Sequence, residues 1–67
     1  MTLRAFWEGE VELLRDDVET LRQAVERARL DSRPIAETAA LADWTHAAGR
    51  LATAQEHLAE LTALEGL

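Results

Sequence analysis

Apolar residues near the start of the chain keep a strict rhythm. Trp7, Val11, Leu14, Val18, Leu21, Val25 and Ala28 follow one another at spacings of 4, 3, 4, 3, 4 and 3 residues. That alternation holds the side chains on one side of a helix, as the a and d positions of a coiled-coil seam. Thr2 is suitable as an N-cap, so a first helix is expected over about residues 3–31. Gly9 weakens its first turns, but neither glycine nor proline occurs from Glu10 to Leu30. Asp31-Ser32-Arg33-Pro34 breaks the pattern, because proline pushes Arg33 out of the α region and then suits the first turn of a new helix. A turn at about 32–34 and a second helix over about 35–64 follow. Ala40, Trp44, Ala47, Leu51, Ala54, Leu58 and Leu61 repeat the same spacing, and Leu41, Ala48, Ala52 and Ala59 form a second row. A connection this short folds the second helix back antiparallel on the first.

The expected fold is therefore all-α: residues 1–67 as a single antiparallel two-helix hairpin, coiled-coil-like, with no second domain. Its expected core is Trp7, Val11, Leu14, Val18, Leu21, Val25, Leu51, Leu58 and Leu61. Folding about the turn sets Leu14 and Val18 over Ala47, Ala48 and Ala54, Trp44 near Leu21 and Val25, and Trp7 near Leu58 and Leu61. The second row makes the apolar face of helix 2 wider than one neighbour needs. Small hairpins rarely bury enough surface to be stable alone, so two copies are expected to pair as a four-helix bundle homodimer. Gly49 in mid-helix is read as a place where another helix comes close, and Gly66 as a C-terminal stop.

The polar residues of helix 1 are periodic too. Glu12, Glu19 and Glu26 each stand three residues before Arg15, Arg22 and Arg29, the spacing of intrahelical ion pairs. The same arginines at e positions, with Glu10 and Asp17 at g, would also suit pairing between parallel helices.

Composition narrows the function. The net charge is −6, with seven arginines, no lysine and thirteen acidic residues, which argues against nucleic acid and anionic membranes and suits a protein partner. No stretch approaches a membrane span, and Glu8 and Glu10 interrupt any leader-like run, so a soluble cytoplasmic protein is expected. The chain has no cysteine, and its one serine, Ser32, lies in the turn without a nearby base. No phosphate loop, dinucleotide motif or catalytic dyad is present, so no enzyme activity and no cofactor are expected. His46 and His57 stand eleven residues apart, too far to share a metal, and are read as solvated. Trp7-Glu8-Gly9 has the order of the tryptophan-x-glycine motif of small secreted hairpins, but it lies at the start of helix 1 instead of the turn.

Partner binding is expected at Trp44, Arg50, Leu41 and Ala48. Tryptophan and arginine are the side chains that most often dominate interfaces. Arg50 has no acidic residue at i+3 or i+4, which leaves it available to a partner.

Val11, Glu12, Arg15, Leu21, Ala24, Trp44, Leu51 and Ala54 give the chain a family likeness. It resembles the small helical-hairpin co-chaperones of type III secretion needle subunits, along its whole length and without gaps. The resemblance implies a hairpin that joins a larger helical-repeat chaperone and keeps the needle subunit from polymerising. Two other readings share the architecture. One is a small acidic inhibitor, of the kind phages make, that inactivates a host regulator such as a transcriptional activator. The other, an RNA-binding hairpin dimer, is disfavoured by charge.

Overall fold

In the computed structural model, which describes residues 2–66, two helices pack side by side: α1 over Leu3–Leu30 and α2 over Pro34–Glu65. Thr2 caps α1 as expected. Its hydroxyl oxygen accepts from the Ala5 N–H at 3.1 Å, and its carbonyl accepts from the Phe6 N–H at 3.1 Å. Gly9 does not delay the start of α1.

The turn occupies residues 31–33, one position earlier than the spacing suggested, because Pro34 already belongs to the first turn of α2. The C-terminus of α1 closes with two bonds that satisfy its last carbonyls. The Arg33 N–H donates to the Ala28 carbonyl at 2.9 Å, and the Ser32 N–H donates to the Arg29 carbonyl at 3.2 Å. This is a Schellman closure, which places one residue in the left-handed region. Here that residue is Ser32, at φ 54°, where glycine is usual. Gly66 caps α2 at φ −75°, so it stops that helix without a left-handed residue.

The seam runs the length of the hairpin, but only its small or central members close completely. Val11, Leu14, Val25, Ala28, Ala47 and Ala54 are buried, Ala54 most deeply at 2% exposure. Val11, Leu14 and Ala54 form one cluster, flanked by Trp7, Leu51 and Leu58. Trp7, Val18, Leu21, Leu51, Leu58 and Leu61, expected in the core, are only half-buried. The reason is architectural: two helices give a large side chain one facing neighbour, and its outer flank stays open. Burial of a valine or leucine contributes roughly 1.5–3 kcal/mol and alanine much less, so a core half made of alanine is a slight one. The molecule is correspondingly elongated, 52 × 16 × 12 Å. Its radius of gyration is 15.3 Å, against about 11 Å for a compact domain of this length.

The ion pairs differ from the simple i, i+3 ladder. Glu19–Arg22 forms at 2.6 Å, and Arg22 also reaches Glu26 at 2.5 Å. That leaves Glu26 engaged, and Arg29 instead crosses to Glu37 on α2 at 2.9 Å. Among the described residues, Glu12 and Arg15 form no ion pair. At the open end Arg4 bridges Glu8 on α1 and Glu65 on α2, at 3.0 and 2.6 Å. These contacts tie the helix ends together, but they are exposed and add little stability.

Candidate functional site

An antiparallel pair has two flanks, and on this hairpin they are chemically unlike. On one flank an open groove of about 550 Å³ runs between the helices. Trp7, Glu10 and Leu14 supply its α1 side; Thr45, His46, Gly49, Arg50, Thr53 and Ala54 supply its α2 side. Leu14 and Ala54 form an apolar floor that continues the core. Glu10 on α1 and Arg50 on α2 line opposite sides, and neither makes an ion pair among the described residues. Gly49 leaves a gap in the α2 side: a Cβ built there would meet nothing within 4 Å. Gly49 is therefore not required for the approach of α1, and the helix expected to come close to it is not α1.

One end of this groove is aromatic. The Trp7 ring stacks on His57 with centroids 4.9 Å apart and an interplanar angle of 30°. Phe6, 46% exposed, meets the Trp7 edge at 5.3 Å and 82°. His57 is thus exposed but held against an indole rather than freely solvated. His46 lies within the groove. Among the described residues no three histidine or carboxylate side chains converge as a metal site would require. Among the described residues no helix is long and apolar enough to cross a membrane.

The second flank carries an apolar groove of about 580 Å³ lined by Val11, Arg15, Gln55, Leu58, Ala59, Thr62 and Ala63. Its α2 wall is uncharged. Thr62 donates its hydroxyl to the Leu58 carbonyl at 2.9 Å, and Thr38, farther along the same side, donates to the Pro34 carbonyl at 2.9 Å.

The four residues expected to bind a partner do not form one patch. Leu41 and Arg50 are nine residues apart, which at 100° per residue is half a turn out of phase. Arg50 lies in the first groove; Leu41 and Ala48 are half-buried on the other flank. Trp44 sits near the seam, half-buried, with its indole Nε1 enclosed and without a hydrogen bond. Its polar atom is thus turned away from any visitor, at a desolvation cost of about 1–3 kcal/mol. Trp7, Glu10, His46, Gly49 and Thr53 join Arg50 in the groove and were not among the residues expected to bind a partner. The signal was present: residues 46, 50, 53 and 57 keep a helical spacing of 4, 3 and 4, beside the main seam.

The exposed ladders shift the ionisation of their own members. Hydrogen bonds from Arg22 hold the Glu19 carboxyl below its usual range, and Arg22 is raised chiefly by its hydrogen bond to Glu19. Arg4 is raised by Glu65 and then by Glu8. None of these groups lines the first groove. Compared with known protein families, curated proteins and solved structures, the chain matches none.

Proposed function

We propose that this hairpin is a non-enzymatic binding module that holds or blocks a partner protein. The observation that carries the reading is the first groove, where an apolar floor lies under two opposed charges, Glu10 and Arg50, that nothing in the described chain neutralises. An arginine held in this way can take a carboxylate in a two-pronged grip, while the Trp7–His57 stack offers an aromatic edge. The co-chaperone resemblance fits the same use: a helix of an aggregation-prone subunit, bearing a carboxylate beside an apolar face, laid along the hairpin. The finer assembly belongs to the same proposal, with two hairpins pairing as a four-helix bundle in the cytoplasm.

The test is affinity capture from the native host followed by direct titration of the captured protein. Arg50→Ala should keep parental helicity and weaken binding by about 30-fold, the scale of an interface hot spot. Parental binding by Arg50→Ala, combined with loss in Arg15→Ala or Arg22→Ala, would place the surface on α1 and overturn the assignment. The identity of the captured protein, a secretion subunit or a host regulator, separates the co-chaperone from the inhibitor.

A further inference from the structure

The second flank carries a seam of its own. Thr38, Leu41, Ala48, Ala52, Gln55, Ala59 and Thr62 lie along it at spacings of 3, 7, 4, 3, 4 and 3, and none is charged; Thr45, between Leu41 and Ala48, borders the first groove. At 100° per residue this seam is centred about a quarter turn from the one that packs on α1, the angle at which a helix meets a second neighbour in a bundle. We infer that this seam is the face through which two copies of the chain pair, α2 against α2 in antiparallel register about the level of Arg50. The inference rests on the reading that the hairpin assembles with itself, and it names the face and the register.

Three observations converge on a second copy as the occupant. The first is area. The chain exposes 5109 Å², whereas a compact protein of its mass exposes about 4,250 Å². The excess is close to the roughly 800 Å² that each partner buries in a standard interface.

The second is self-complementarity. A two-fold interface must match its own surface run backwards. Reversed about position 50, the seam sets Leu41 against Ala59, Ala48 against Ala52 and Thr38 against Thr62. The one large side chain thus faces a small one. Ala59 also lines the apolar groove with Gln55, Leu58, Thr62 and Ala63, so Leu41 of each copy meets a ready-made recess in the other. Alanines at the centre let the two backbones come close.

The third is polar satisfaction and charge. The hydroxyls of Thr38 and Thr62 already bond carbonyls of their own helix, so covering them strands no donor. By contrast, the adjoining flank of α1 presents Arg4, Arg15, Arg22 and Arg29, three of them with the carboxylates that pair them, and covering that row would strip water from several ions. The α1 helices therefore lie outermost, and the first groove stays open in the dimer.

Sedimentation equilibrium of the intact chain at micromolar concentration tests this, with circular dichroism to confirm helicity. The parent should be a dimer. Ala52→Glu, at an exposed position of the hairpin, should weaken association by more than about tenfold, because it sets a carboxylate against an uncharged seam. Ala59→Leu should also weaken it, by opposing leucine to Leu41, and adding Leu41→Ala should restore it. A monomeric parent would refute self-pairing altogether while leaving partner capture through Arg50 untouched. A dimer indifferent to Ala52→Glu would place the contact on another face. A dimer tightened by Ala59→Leu would mean a parallel register and overturn the one stated here. Loss of a captured partner protein by Ala52→Glu, with a monomeric parent, would make that partner the occupant instead.

Discussion

On the outer side of α1, charge is answered by charge. Arg22 sits between Glu19 and Glu26, Arg4 between Glu8 and Glu65, and Arg29 reaches Glu37. The second flank of α2 contains alanines and threonines, and the hydroxyls of Thr38 and Thr62 return to the helix's own carbonyls. These groups are satisfied locally on both surfaces. The surfaces differ in the cost of covering them. Burying the α1 ladder would strip water from several ions, whereas burying the α2 surface would desolvate methyl groups and hydroxyls that already have partners. A helix can therefore be equally at ease in water on either design, yet the second costs less to cover.

The contrast assumes that α1 is held by its seam and not by its ladder, and this is where it is easiest to break. Leu14→Ala should cost about 2–5 kcal/mol, a large share of the stability of so small a core. Leu13→Ala, one residue away but exposed, should change stability by less than about 0.5 kcal/mol. Thermal or urea unfolding of the two variants measures the gap; similar midpoints would mean that the seam does not carry the fold.

A smaller effect sharpens the α2 side. A methyl group at Gly49 enters open space on an otherwise regular helix, so Gly49→Ala should raise stability by about 0.5–1 kcal/mol in unfolding experiments. The same variant titrated against the captured partner reports whether a second backbone uses that gap. Unchanged affinity would show that it does not.

The smallest effect belongs to the ladder. The folded chain holds the Glu19 carboxyl below its ordinary value of 4.5, so folding disfavours its protonation. Its contribution is complete above that value and is lost as pH falls through the depressed folded value. Melts of the parent and Glu19→Gln should therefore differ most at neutral pH and converge in acid, with the gap narrowed further by salt.

Much of the hairpin was legible because two strong signals agree. An unbroken spacing of fours and threes marks the packed stripe of each helix, and Pro34 marks the return. Less legible was which stripe residues close. Ala47 and Ala54 are buried while Trp7 and Leu51 stay half open, because depth depends on how near the helices come and not on hydrophobicity. The choice of Arg29 for Glu37 needed the other helix in place. The separation of Arg50 from Leu41 needed only the helical angle between them, followed past the first stripe. The left-handed Ser32 had no sequence signal, since serine is an ordinary turn residue and the glycine that would announce the closure is missing.

Ser32 and Pro34 together also decide what shape the chain cannot take. If residues 31–33 were helical, α1 and α2 would join into one rod of about 95 Å, and two rods could trade halves to make an exchanged dimer. Pro34 opposes that straightening by excluding Arg33 from the helical region, and it lacks the N–H that a continuous helix would need. Arg33 indeed sits at φ −109° and ψ 84°. The seam residues of α1 and α2 thus meet within a single chain, and the fold completes at a rate independent of concentration. In the dimer proposed above, copies would therefore meet as finished hairpins, side against side, with no exchange of helices.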